Sequence, residues 1–513
     1  MRKWLPLTAV CLGAFMLLVD VTIVTVALPD MSADMDTGFA GLQWVMDVYA
    51  LALAALLLGA GSLADRIGRR RVYLGGLGLF AAASLACGLA TGPAELIAFR
   101  TLQGIGGAAM FATTMALLSG AYQGRDRGVA FGVWGAVNGA AAAAGPIVGG
   151  LLTEQFGWRW IFFINLPLCA LAVWVTLKAV GESRDPHAKG LDLPGMATFT
   201  AGAAAVTYAM IRVGENGWSS PATPGLLALG AAAFGAFVLV ELRSSRPMLD
   251  LSLFRSRTFV AVMAAGLLLS GAAFSYLMYV SLWLQSAEGM SPVGAGLVLV
   301  PLSAAAFLVS AVAGRLLHGA PARLTIGGGL LLIGVGALLQ AWMLDAGDGW
   351  SALVPGLLVT GAGVGTATPA LAATAMGAVG HARAGMAGGA LNTARQLGTA
   401  LGIAVLGAVF HAGLRSGLGE AGHGLSAPLA SGGAGQLLAA APAGAAHETL
   451  AGLVDAAFAS GLRETFLASG AMGLAGALAV FLLIRRPAAT PPPAAAAVPP
   501  ARAAGSPAPA PLP

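Results

Sequence analysis

Residues 61–71 read Gly61-Ser62-Leu63-Ala64-Asp65-Arg66-Ile67-Gly68-Arg69-Arg70-Arg71, one acid and four arginines punctuated by two glycines. The stretch before it, 42–64, carries one charged residue, Asp47, and the stretch after it, 72–91, carries none. Each flank is about 20 residues long, which at about 1.5 Å per residue crosses a hydrocarbon layer of about 30 Å. The motif is therefore a tight turn joining two membrane-spanning helices. Arginine-rich turns stay on the cytoplasmic side of a membrane. Gly61 and Gly68 permit close approach and positive φ. Asp65, Arg66, Arg69 and Arg70 can then latch neighbouring helix ends through charge-assisted hydrogen bonds.

The same rhythm of apolar run and polar punctuation continues in both directions. Candidate spans cover 5–28, 42–64, 72–91, 94–120, 128–152, 160–180, 192–213, 224–242, 258–284, 292–314, 324–344, 351–374, 385–411 and 460–484. This predicts an all-α integral membrane protein with about fourteen transmembrane helices. Composition agrees: 58% of the 513 residues are apolar and 10% charged, against about 25% charged in soluble proteins. Mean hydropathy is +0.82. The 74 glycines suit helices packed closely in lipid.

With the N-terminus inside, twenty-one of the 27 lysines and arginines fall on the inner side and four on the outer, while Arg100 and Arg395 lie within spans. Both termini are thus expected in the cytoplasm, and the protein in a bacterial cytoplasmic membrane. The basic residues form no contiguous patch, which excludes nucleic acid as a partner. Cys11, Cys87 and Cys169 sit inside apolar runs as packing residues, without metal-ligand spacing. No G-x-x-x-x-G-K-[ST] or H-E-x-x-H occurs, which argues against an ATP-driven pump or an enzyme. No cofactor and no metal are expected. Residues 413–459 read as a Gly/Ala/Ser-rich outer loop with at most a short interfacial helix near 448–458. From Pro487 to Pro513 a Pro/Ala-rich tail should be disordered or extended.

Four further stretches carry chemistry. In span four, Arg100-Thr101-Leu102-Gln103-Gly104 places a costly arginine inside the membrane with Gln103 one turn on. In span five, Gly139 to Gly150 ends in Gly145-Pro146-Ile147-Val148-Gly149-Gly150, a small-residue face with a bend at the proline. Span one holds Leu18-Val19-Asp20-Val21-Thr22-Ile23-Val24-Thr25-Val26-Ala27-Leu28-Pro29. Span six begins with Trp158-Arg159-Trp160-Ile161-Phe162-Phe163-Ile164-Asn165-Leu166-Pro167, and span thirteen carries Leu391-Asn392-Thr393-Ala394-Arg395-Gln396-Leu397-Gly398.

Together these stretches, from about residue 5 to 484, resemble the major facilitator superfamily and, within it, the fourteen-span drug:proton antiporters. The 61–71 turn looks like that superfamily's latch on the outward-open state. Arg100, Gln103 and Gly104 resemble its fourth-helix R-x-x-Q-G motif. Gly139, Gly145, Pro146, Gly149 and Gly150 resemble the antiporter motif of drug exporters. The resemblance implies two six-helix bundles, 1–180 and 258–486, with two extra helices inserted in 181–257 and a tail at 487–513. It also implies a substrate cavity at the midplane, to which Gln103, Asn392, Arg395 and Gln396 could contribute. The usual second-half copy of the latch is degraded to Gly314-Arg315-Leu316-Leu317-His318-Gly319.

Depth gives an independent argument. Span one runs outward and spans two and four inward, so Asp20, Asp47 and Arg100 share one level in the outer part of the membrane. Two carboxylates with one arginine leave a surplus negative charge, so one acid should bind protons reversibly. Asp20 is the expected proton site and Arg100 its tuner; Asp47 either joins them or lines the outer vestibule. The expected function is proton-coupled export of lipophilic, cationic small molecules by a monomer. Alternatives are a dedicated exporter of one secondary metabolite, or an uptake permease of the same fold.

Overall fold

The computed structural model describes residues 2–184, 192–218, 220–245, 247–316, 320–379, 384–441 and 445–484. Among these residues every regular element is helical. The long helices are α1 (Leu5–Met35), α2 (Phe39–Ile67), α3 (Arg69–Leu89), α4 (Pro93–Ala121), α5 (Gly124–Phe156), α6 (Trp160–Ala179) and α7 (Leu193–Asn216). They continue as α8 (Ala222–Arg243), α9 (Arg257–Ser286), α10 (Pro292–Leu316), α11 (Ala322–Met343), α12 (Val354–Gly377), α13 (Ala384–Gly422) and α14 (Ala445–Leu483). By length and hydropathy of the described residues, thirteen of these can cross a membrane. The fourteenth, α5, is an unbroken helix of 33 residues around Pro146.

Helices α1–α6 pack into one bundle and α9–α14 into a second. Small residues set the closest crossings in each. A Cβ on Gly106 of α4 would stand 2.7 Å from the Phe80 nitrogen of α3, and one on Gly329 of α11 2.7 Å from the Gly363 oxygen of α12. Corresponding pairs in the two bundles thus approach backbone to backbone. The inserted helices are not a spacer between the bundles. Helix α7 lies along the seam, touching α2 of the first bundle and α13 of the second, and α8 packs on α7.

The two ends of the molecule differ. At the end away from the 61–71 turn, the far end, a single apolar core runs through both bundles. It joins Val24, Leu28 and Leu42 to Tyr279, Leu282, Leu299, Leu406 and Phe410. At the turn end there are two cores. One holds Leu17, Leu53, Phe80 and Leu118, and the other Phe259, Ile333, Leu371 and Val480. The bundles share one core at the far end and have separate cores at the turn end, bridged along the α2–α7–α13 seam.

Two sequence expectations change. Helix α1 does not stop near Leu28 but runs through Pro29 to Met35. The 413–459 segment is not an irregular loop. Helix α13 continues to Leu418 and kinks at Gly419 (φ +63°), short helices cover Ser426–Ala430 and Ala434–Ala440, and the expected interfacial helix is the start of α14. Leu429, Ala430 and Ala434 are fully buried in the far-end core. Gly432, at φ +90°, lets the chain pass over Leu282 and Pro29, one from each bundle. Small residues bury well here but leave almost no periodic signal. The 487–513 tail lies outside the described residues.

Candidate functional site

Helix α1 carries Asp20 to the interior of the first bundle, where it is 0% exposed, and α4 brings Arg100, 1% exposed, to meet it. Arg100 Nη1 lies 2.5 Å from Asp20 Oδ2. Gln103, one turn along the same face, completes a ring. Its Oε1 accepts from Arg100 Nη1 at 2.8 Å, and its Nε2 donates to Asp20 Oδ1 at 2.8 Å and to Ser84 Oγ at 2.9 Å. Asn165 Nδ2 donates to Asp20 Oδ1 at 3.1 Å, and Arg100 Nε donates to the Val45 carbonyl at 3.1 Å. The guanidinium also lies 4.4 Å from the Tyr49 ring centre. Every bond to Asp20 comes from a donor aimed at a carboxylate oxygen, so the ring is complementary to the Asp20–Arg100 pair. A buried ion pair survives only with this degree of hydrogen bonding.

Asp20 and Arg100 therefore meet as expected, but Asp47 does not join them. It is fully buried, and neither carboxylate oxygen has a partner. The reason is azimuth. Asp47 stands two residues from both Val45 and Tyr49, the α2 residues that contact Arg100, and so about 200° around the helix from each. It shares a face with Gln43, whose Nε2 donates to Tyr279 Oη and to the Ile403 carbonyl of the second bundle, both at 3.3 Å. Depth is common to the three ionisable groups; direction is not.

Gln103 is likewise corrected. It is 0% exposed and spent on the Asp20 ring, so it does not line a substrate cavity. Asn392, Arg395 and Gln396 on α13 are each partly exposed.

The turn at 61–71 folds on itself and on its own bundle. Arg69 Nη2 pairs with Asp65 Oδ1 at 2.9 Å. Glu182, in the connection after α6, accepts from the Arg70 and Arg71 backbone nitrogens at 3.1 and 3.3 Å, and Arg70 Nη2 donates to the Leu177 carbonyl at 2.9 Å. Gly68 takes φ +121°, and a Cβ there would lie 2.6 Å from the Glu182 carboxyl. Arg66 is exposed, and Gly61 has open room against Ala112. The partner residues of the degraded second copy lie outside the described side chains.

In α5, Gly149 packs on α1, where a Cβ would lie 2.7 Å from the Ile23 oxygen. Gly145 meets Thr22 of α1, and Pro146 touches Gly296 of α10. Gly150 faces α10, 2.6 Å from Val293 Cα by the same measure. These residues stitch α1 to α10 across the far end. Gly139 lies outside the described side chains. Gly104 of α4 seats on α2, 2.7 Å from the Tyr49 oxygen.

Sequence reading missed Ser84, Asn165, Glu182, Tyr49 and the Val45 carbonyl. Asn165 stood in a quoted motif, and Glu182 is a lone acid beside a basic turn; Ser84 and a backbone carbonyl leave no signal.

Comparison with known proteins follows the same lines. The Major Facilitator Superfamily model matches residues 10–403. The chain is 40% identical over 412 residues to the multidrug resistance protein Stp of Mycobacterium tuberculosis, covering 80% of this chain and 76% of that protein. It is 35% identical over 509 residues to the tetracenomycin C resistance and export protein of Streptomyces glaucescens, covering 94% and 91%. Among solved structures, a bacterial homolog of the human lysosomal transporter Spinster superposes with a TM-score of 0.62 at 18% identity, over 94% of this chain and 97% of that one. With its two bundles, its arginine-rich 61–71 turn and its buried Asp20–Arg100 ring, this chain belongs to the Major Facilitator Superfamily.

Proposed function

We propose that this protein exports lipophilic small molecules across a bacterial cytoplasmic membrane in exchange for protons, with the turn end and both termini in the cytoplasm. The bias of basic residues to the turn end supports the orientation. The Stp and tetracenomycin relatives support export of drugs or antibiotics. The observation that carries the coupling is the pair of buried carboxylates in unlike surroundings, one ringed by donors and one with none.

On this reading the structure is an inward-facing state. Asp20 has released its proton and is held ionised by Arg100, Gln103 and Asn165. To bind a proton again it must lose the arginine, which has the Val45 carbonyl and Gln103 Oε1 as alternative acceptors. Asp47 is sealed without a partner, and an ionised carboxylate so placed would cost several kcal/mol, on the order of 5 or more. It therefore carries a proton whenever the far end is shut. Protons taken from outside favour far-end closure, and solute loaded from inside favours reopening. The near full-length match to the tetracenomycin protein gives a dedicated exporter of one metabolite as the second reading.

The test is purified protein in vesicles with an imposed pH gradient, reading solute movement and gradient loss together. Asp20→Asn is expected to abolish coupled movement at unchanged membrane insertion. Full coupled export by Asp20→Asn would remove Asp20 from the mechanism.

A further inference from the structure

Helix α13 enters the membrane at the turn end and presents three faces. Leu391, Gly398 and Gly402 meet α9 at Gly266, Leu267 and Ser275. About 180° away, Gly389 and Gly407 meet α2 at Leu58 and Gln43. Between these faces, over an arc of about 100°, stand Arg395, Thr399, Asn392 and Gln396. Because α9 belongs to the second bundle and α2 to the first, this arc looks into the wedge between bundles. Toward the far end the same wedge is closed by Tyr279, whose hydroxyl donates to the Ile403 carbonyl at 2.5 Å, and by Gln43. Arg395 lies about two turns below that closure, at the apex of the gap that opens to the turn end.

The four side chains are partly exposed. Thr399 donates only to the Arg395 carbonyl. Among the described residues, no carboxylate pairs with the Arg395 guanidinium, and the Asn392 and Gln396 side chains hold no hydrogen bond. A Cβ on Gly266 would approach Arg395 Cγ to 3.4 Å, so the glycine leaves the arginine stem room on the α9 side. An uncommitted guanidinium at this depth must face water or a ligand. Neither buried acid of α1 and α2 answers it: Asp20 is neutralised by Arg100, and Asp47 is fully buried. The charge this gap offers a solute is positive.

We propose that Arg395, flanked by Asn392 and Gln396, is the solute-binding subsite and selects lipophilic anions, molecules with a carboxylate or ionised phenol on an apolar body. This deepens the export reading, on which it rests, and replaces the cationic solute expected from the sequence. The planar fork of arginine suits a carboxylate through two parallel bonds. The flanking amides can donate to further oxygens.

The experiment measures binding without any gradient, so its failure and that of proton coupling can be told apart. Protein in lipid nanodiscs is titrated with three probes on one body: pyrenebutanoate, pyrenebutanamide and pyrenebutyl-trimethylammonium. Energy transfer from protein tryptophan is read after subtraction of empty discs. The wild type is expected to bind the carboxylate tightest. Arg395→Gln should weaken that probe by about tenfold or more, leaving the amide within about twofold. Arg395→Lys should keep part of the preference, because charge survives and the fork does not. Retained amide binding by Arg395→Gln certifies its fold; should that variant bind no probe, the carboxylate preference of Arg395→Lys over the amide decides in its place. Tightest binding of the ammonium, or a carboxylate preference unmoved in Arg395→Gln, would overturn the proposal.

Discussion

Arg100 and Asp20 lie within one hydrogen-bonded ring, and that ring sets what each substitution should do. Arg100→Gln removes the cation and strands the Asp20 carboxylate at zero exposure. Breaking one side of a buried pair costs about 3–5 kcal/mol, so the detergent-purified variant should melt well below the parent. Adding Asp20→Asn to the same chain removes the stranded charge and should restore most of the loss. The double variant is thus expected to be more stable than Arg100→Gln alone, although neither transports. Thermal unfolding of the four proteins checks this, and additive effects would mean that the two residues do not depend on each other. At this scale the sequence was legible in depth and blind in azimuth. Counting along the spans put Asp20, Asp47 and Arg100 at one level, but whether Asp47 faces Arg100 or the opposite bundle depends on the rotation of α2. That rotation is set by Gly104 seating against Tyr49, a contact between two helices.

Among the helices, α5 makes the far end close. Its run Gly145-Pro146-Ile147-Val148-Gly149-Gly150 was readable as a small-residue face, but the sequence could not say that the face is shared between α1 and α10. Gly145 and Gly149 address the first bundle, while Gly150 addresses Pro292 and Val293 of the second. The atoms nearest a Gly150 side chain are backbone, at 2.6 Å for both the Pro292 oxygen and Val293 Cα, so they cannot swing aside. Gly150→Ala should therefore wedge α5 from α10 and populate far-end opening without unfolding either bundle. Leu42, fully buried in the far-end core, reports it. With Cys11, Cys87 and Cys169 replaced by alanine, Leu42→Cys should resist a membrane-impermeant maleimide in the parent and react in Gly150→Ala. Equal protection in both would show that the α5–α10 contact does not hold the far end shut. The far-end segment with Leu429 and Ala430 escaped sequence reading for a related reason: alanine and glycine fill a packed cover as readily as they fill a loop.

For the molecule as a whole, one continuous core at the far end and two separate cores at the turn end suit a rigid-body choice between two facings, and on the proposed function a proton weighs on that choice. Such packed ends are bistable and do not deform continuously. Far-end closure buries Asp47 without a partner and therefore requires it neutral. The sign follows. Alkaline conditions, which strip the proton, should favour far-end opening, and acid should favour the closed state seen here. Spin labels at Gln155 and Ser291, both exposed at the far end, should report a short, narrow separation at pH 6 and a longer population at pH 9. Labels at Ala121 and Met376, exposed at the turn end, should move the opposite way. Asp47→Asn, a neutral side chain of the same shape, should remain far-end closed at both pH values. Asp20→Asn should keep the pH response of the Gln155–Ser291 pair, because Asp20 stays ringed within one bundle and does not cross the seam. If Asp47→Asn opens with pH as the parent does, closure is governed by another titrating group, and the proton on Asp47 plays no part in the choice between the two facings.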